Sequence, residues 1–197
     1  MKTKQQIVAE FRRTEIIDAA RTIFARRGFT LATMDEIAKE AGIAKGTIYL
    51  YFRSKTEVYK AVLDHDMESL KKSTLERIEA ASTLREKIEV FVLARLENAE
   101  ARKELFLIMD SESDNLALTR SQYRDWLHEP VLHLAREIEK ASQRGEIGSA
   151  PAEKVAWIVA DMTRGAIQRR LLNRSDYPVA EDAAYITAFV WAALTQA

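Results

Sequence analysis

Apolar residues recur at three- and four-residue spacing through most of the chain, β-branched runs are short, and proline and glycine number only three and six. This periodicity predicts an all-α protein. Ile16, Ala20, Ile23 and Phe24 would line one face of a first helix, which Gly28 would end as a left-handed C-cap. Thr33 with Glu36, and Ser54 with Glu57, each fit the S/T-x-x-E capping box, in which hydroxyl and glutamate each satisfy an otherwise unpaired backbone N–H. Both therefore mark helix starts. The spacing then predicts a long helix over 55–79 and others near 83–100, 103–110, 117–143, 151–172 and 181–195. Gly145, Gly148, Ser149 and Pro151 punctuate one late junction, and Asn173 to Pro178 the last. Pro130 falls inside a predicted helix, which either starts nearby or kinks there, because the Trp126 carbonyl loses its usual donor.

Within 33–55 the pattern is more specific. Two short helices that cross steeply need a small residue at their approach, a flexible residue in the turn and apolar residues gripping the core beneath. Ala38 supplies the first, Gly42 the second, and Ile37, Ile43, Ile48 and Tyr51 the third. Lys45, Gly46, Thr47, Tyr49 and Leu50 are then left on the outer face of a second helix whose N-terminal end could enter the DNA major groove. Lysine can bond a base acceptor or a phosphate, and glycine admits close backbone approach. Threonine and tyrosine hydroxyls position phosphates, and Lys55 in the next helix could clamp a neighbouring one.

Zero net charge argues at first against a nucleic-acid partner, but it conceals a gradient. Residues 1–55 hold 11 Lys plus Arg against 6 Asp plus Glu, net +5, and the remainder holds 19 against 24, net −5. A basic end can attract phosphates while an acidic body stays off the duplex. The absence of cysteine excludes disulfides, thiolate chemistry and cysteine-ligated zinc. With no apolar N-terminal signal region and no apolar run near the roughly 20 residues that span a bilayer, a cytoplasmic protein without membrane contact is expected.

The segment TLATMDEIAKEAGIAKGTIYLYFRSKTEVYKAVL resembles the DNA-binding signature of the TetR family of bacterial repressors, with the likeness strongest over 12–63. The resemblance implies a three-helix DNA-binding domain over 1–54 and a larger helical ligand-binding and dimerisation domain over 55–197. It implies that Thr33, Thr47, Tyr49 and Lys55 contact the phosphate backbone and that Lys45 and Gly46 lie nearest the bases. Two departures stand out. Ala44 replaces a frequent serine cap, and Leu50 stands where a polar residue or histidine is common, so that it could touch a thymine methyl.

The same resemblance implies a homodimer on a pseudo-palindromic double-stranded operator, released by an apolar small-molecule effector, with no cofactor. Two late segments carry more apolar surface than one stripe requires. Val155, Ile158, Val159, Met162 and Ile167 lie on one, and Tyr185, Ile186, Phe189, Val190 and Trp191 on the other. An intersubunit four-helix bundle would bury the excess, with Ile158, Ile167, Phe189 and Val190 at the contact and Gly165 allowing close approach. Completion of the protomer core is the alternative. By resemblance, an effector cavity would be walled by Met67, Phe91, Phe106, Met109, Tyr123, Trp126 and Met162, with Arg95, Glu112 and Asp161 as polar anchors; core filling and a solvated face are the competing readings.

Other classes find less support. His128 and His133, five apart, do not share a helix face as a zinc pair would, and His65 stands alone. No glycine-rich phosphate loop or G-x-S-x-G elbow occurs, and Asp64, Asp66 and Glu68 read as a solvated helix face. An enzyme is not expected. A helical adaptor remains open, as does an activator, which differs from a repressor only in where its operator lies.

Overall fold

The computed structural model describes residues 3–103, 117–172 and 177–196, with residues 117–123 described by their backbone alone. Its described residues form helices α1 (Lys4–Leu31), α2 (Met34–Glu40), α3 (Lys45–Ile48) and α4 (Lys55–Ala80), then α5 (Leu84–Ala101), α6 (Ala117–Gln143), α7 (Ala152–Leu171) and α8 (Val179–Thr195). The all-α expectation holds. The helix expected over 103–110 lies almost wholly outside the described residues. Pro130 sits inside a continuous α6 rather than at a helix start.

Local capping explains half of the starts. Thr3 with Gln6, Thr33 with Glu36 and Thr83 with Glu86 form complete capping boxes. At Ser54 the box is shifted: its hydroxyl accepts from the Glu57 N–H at 3.2 Å, but the Glu57 carboxylate accepts from the Arg53 N–H at 2.7 Å. Gly28 takes φ 70° and ψ 167°. The positive φ is as expected, but the ψ is extended, so Gly28 breaks α1 without forming a left-handed cap. At Gly145 the φ is 72°. There the N–H of Glu146 reaches the Ala141 carbonyl and that of Gly145 the Ser142 carbonyl, closing α6 with a Schellman motif.

The first three helices pack chiefly through α1 on α2, α2 on α3 and α1 on α4, while α5 lies at the centre of the body against α4, α6, α7 and α8. Apolar burial is continuous across residue 54, from Ile16, Phe24 and Ile48 through Val58, Tyr59 and Val62 to Phe91 and Leu96. Phe24, Phe29 and Tyr59 form an aromatic cluster at this junction.

Asp66 corrects the reading of a solvated acidic face, since it is 1% exposed. Its carboxylate accepts from Arg21 Nε at 3.0 Å and Nη2 at 2.5 Å, and from Arg102 Nε at 2.8 Å. One buried acid thus ties α1, α4 and the end of α5 together. A second buried acid, Glu137 of α6, is held by Lys87 of α5 and by Lys140. Burial pushes its pKa up, but the hydrogen bonds and charges of the two lysines prevail and bring it to about 2.

Candidate nucleic-acid interface

The turn between α2 and α3 follows from one residue. Gly42 takes φ 66°; its N–H donates to the Lys39 carbonyl at 3.1 Å and that of Ile43 to the Ala38 carbonyl at 3.0 Å, a second Schellman motif. The chain leaves α2 and re-enters a helix within a few residues. Ile37, Ala38 and Ile48 are fully buried beneath, while Ile43 and Tyr51 are only partly so. Phe52, which the sequence reading passed over, is wholly buried, with the Arg13 guanidinium 4.3 Å from its ring centroid. Ala44 caps α3 with no side-chain hydrogen bond, as its lack of a hydroxyl requires.

Burying Ile48 and Phe52 forces the intervening and preceding side chains outward. Lys45, Gly46, Tyr49 and Leu50 are exposed, Leu50 to 82%, and Thr47 is half-buried. Lys45 is held by Asp35 of α2, its Nζ 2.7 Å from Oδ2. Thr33 is exposed at the start of α2, with its hydroxyl donating to Glu36 and accepting from the Glu36 N–H. Arg27 pairs with Glu36 and Arg26 with Glu40, so three acids of α2 hold cations of the flanking helices.

Lys55 occupies a different place from the one expected. Its ammonium donates to the carbonyls of Phe29, Thr30 and Ala32 at 2.6, 3.0 and 2.8 Å and lies 4.6 Å from the Phe29 ring centroid. Burial lowers its pKa. All three ammonium donors are engaged in joining the end of α1 to the start of α4, so a phosphate contact from this side chain would require giving up one of them.

In the body, a narrow, partly open cleft is lined by residues including Met67, Leu70, Thr74, Arg95, Trp126 and Ile167. Met67, Arg95 and Trp126 of the expected cavity residues thus converge. Arg95 is buried and donates to the Ala160 carbonyl at 2.9 Å. Phe91 is instead in the core, Met162 is partly buried against that core, and Asp161 is exposed on the outer side of α7, which corrects its expected role as a cleft anchor. Phe106, Met109 and Glu112 lie outside the described residues, as does the side chain of Tyr123.

The expected dimer residues divide. Ile167 and Val190 are buried within the protomer and Ile167 lines the cleft, so neither can carry a subunit contact as expected. Ile158, Tyr185 and Phe189 face outward, Phe189 being 69% exposed. Along α8, Tyr185 and Phe189 share one face while Ile186 and Val190 share the inner one, as helical spacing dictates. Gly165 has only the Arg169 guanidinium at 4.0 Å from where a Cβ would stand. Among the described residues no helix is long and apolar enough to cross a membrane, and no group of three or more metal-ligating side chains converges.

Residues 16–62 match the family described as bacterial regulatory proteins, tetR family. An uncharacterized HTH-type transcriptional regulator, YfiR of Bacillus subtilis, is 41% identical over 66 residues, which are 32% of this chain and 32% of YfiR. The chain spans about a third of the length of the first curated relatives it matches. The HTH-type transcriptional regulator TtgR of Pseudomonas putida matches more extensively, at 27% identity over 179 residues, 87% of this chain and 84% of TtgR. These relatives are named as regulators, not as enzymes. In fold, the chain is similar to the Bacillus subtilis transcriptional regulator FadR in complex with stearoyl-CoA, with a TM-score of 0.72 at 21% identity over 90% of this chain and 96% of that one. The Bacillus halodurans fatty acid degradation regulator FadR gives 0.73 at 20% identity, covering 96% of both chains. The matched stretch includes the residues that build the turn at Gly42 and the buried underside of α3, and it is over 16–62 that the chain resembles the bacterial regulatory proteins of the tetR family.

Proposed function

We propose that this protein is a homodimeric transcriptional repressor, with a reading head over 1–54 and a body over 55–197, that leaves a pseudo-palindromic operator when an apolar small molecule enters the body. One observation carries the reading: α3 and the turn that follows it present Lys45, Gly46, Tyr49 and Leu50 outward above the buried Ile48 and Phe52. A side-chain set of donors, a close-approach glycine and an apolar tip suits the major groove, where base edges offer acceptors and thymine methyls. Thr33 and Thr47 stand beside it for phosphate contacts, and Tyr49 adds a hydroxyl.

Dimerisation is supported by the outward row of Ile158, Tyr185 and Phe189, apolar surface that a second copy would remove from water. Release is supported by α4. This helix begins at the Ser54 cap beside the reading head and, farther along, contributes Met67, Leu70 and Thr74 to the cleft. A ligand that favours a tilted α4 would shift the separation of two reading heads and lower groove fit. The cleft's apolar wall, and the stearoyl-CoA bound by a regulator of similar fold, support an apolar effector.

The test is selection of random-sequence duplexes on wild-type protein and on Phe189→Glu, with sedimentation of each. The reading expects a dimer that enriches two similar half-sites one helical turn apart, and a Phe189→Glu monomer whose affinity for that site collapses. A folded wild-type dimer that enriches no motif would refute it.

A further inference from the structure

Asp35 lies in the first turn of α2, where a carboxylate suits the positive end of the helix, but its place there is not explained by capping. The cap of α2 is complete without it, since Thr33 and Glu36 satisfy each other's backbone N–H groups. Its side chain is 54% exposed, and it sits at the edge of the surface proposed to face a polyanion. An uncompensated carboxylate there would weaken every DNA contact by repulsion. Its partner is Lys45, the first residue of α3, whose Nζ lies 2.7 Å from Asp35 Oδ2 across the turn and whose side chain is 67% exposed. The hydrogen bond and charge of Asp35 raise the Lys45 pKa, favouring the ammonium form that pairs with it.

We infer that Asp35 is a specificity-determining positioning residue, which holds the Lys45 ammonium away from phosphates and aims the pair at one G·C base pair in each half-site. The inference rests on the proposed operator reading and adds the mechanism by which that operator is told from other DNA. A free lysine at a helix tip is a flexible point charge that can neutralise any nearby phosphate, which strengthens binding to all sequences alike. Tethered to Asp35, it is a fixed donor with a compensated charge. Donor and acceptor then stand side by side, and this is the pattern that complements a G·C pair in the major groove. Lysine donates to guanine O6 or N7, and the second carboxylate oxygen accepts from the cytosine amino group. The other pairs around α2 act in the same sense, because Glu36 and Glu40 hold Arg27 and Arg26. The reading head, net basic as a whole, is therefore charge-compensated around α2.

The test compares wild type, Asp35→Asn and Asp35→Glu on the duplex selected by wild type, on copies with each base pair replaced in turn, and on a random duplex across a salt series. Asp35→Asn keeps the size of the side chain and removes its charge, and thermal melting reports that the fold is retained. The expected result is tighter binding of the random duplex by Asp35→Asn, with a slope of log K against log salt steeper by about 0.9 for one further phosphate neutralised. At one G·C position per half-site, its discrimination should fall about tenfold while the other positions keep theirs. Asp35→Glu, which can still reach the ammonium, should restore both readouts toward wild type. An Asp35 that acted only through structure or through its charge would leave every base preference unchanged, and unchanged preferences would overturn the inference even if the salt slope moved. If wild type enriches a motif and Asp35→Asn leaves slope and preferences unchanged, this inference fails and the operator reading stands; if wild type enriches no motif, both fall together.

Discussion

Replacing Asp66 by Asn would test whether the reading head and body are joined as described. The substitution keeps the shape of the side chain, removes its charge and replaces one acceptor oxygen by an amide that points donors at a guanidinium. Arg21 and Arg102 would then share a buried site with no acid between them. Removing one partner of a buried ion pair costs about 3–5 kcal/mol, because the orphaned charge keeps its desolvation penalty. Here the two arginine side chains retain 28% and 30% of their exposure, so water takes up part of the orphaned charge. That places the loss at the low end, about 3 kcal/mol. For a chain of this size such a loss corresponds to a fall in Tm of about 6–12 °C. Urea unfolding at fixed protein concentration should show a lower midpoint with an unchanged slope. Adding Arg21→Met to Asp66→Asn should recover part of the loss, since it removes a charge left with only the exposed Asp18 as its acid. A loss under about 1 kcal/mol, or strictly additive effects of the two substitutions, would refute the account of Asp66 as the buried tie between α1, α4 and α5.

Two further substitutions have defined outcomes. Gly42→Ala places a Cβ in open space at φ 66°, so its cost is backbone strain alone, about 1–2 kcal/mol by thermal or urea unfolding; an unchanged stability would contradict the turn geometry. Glu137 has its pKa depressed from 4.5 to about 2, so its contribution is complete above pH 4.5 and is lost as pH falls from there toward 2. Between pH 5 and pH 2, wild type should therefore lose about 3 kcal/mol more stability than Glu137→Gln, and parallel acid-unfolding profiles would rule that out.

The parts of this structure that sequence reasoning reached are those set by neighbours along the chain. The α2–α3 turn was legible because Gly42, Ala38 and the Thr33–Glu36 box act within a few residues of one another. The same local signal, T-x-x-Q at Thr3 and T-x-x-E at Thr83, was equally visible and marks the starts of α1 and α5. What escaped depends on distant partners. Asp66 reads as a solvated acid until Arg21, 45 residues earlier, and Arg102, 36 later, are brought to it. Lys55 reads as a phosphate clamp until the carbonyls at the end of α1 fold against it. Periodicity showed that α7 and α8 carry excess apolar surface, but not which residues belong to which face. Burial assigns Ile167 and Val190 inward and leaves Ile158 and Phe189 outside.

The proposed function requires that the exposed face of α3 and the turn after it enter the major groove twice on one operator. Methylation interference with dimethyl sulfate on the selected duplex tests it most directly, since the reagent marks guanine N7 in the major groove and adenine N3 in the minor groove. The account predicts interference at guanine N7 in two clusters about 10 base pairs apart, and its loss at the affected guanine when Lys45→Ala is used. Interference confined to adenine N3, or a single cluster with no symmetric partner, would contradict it.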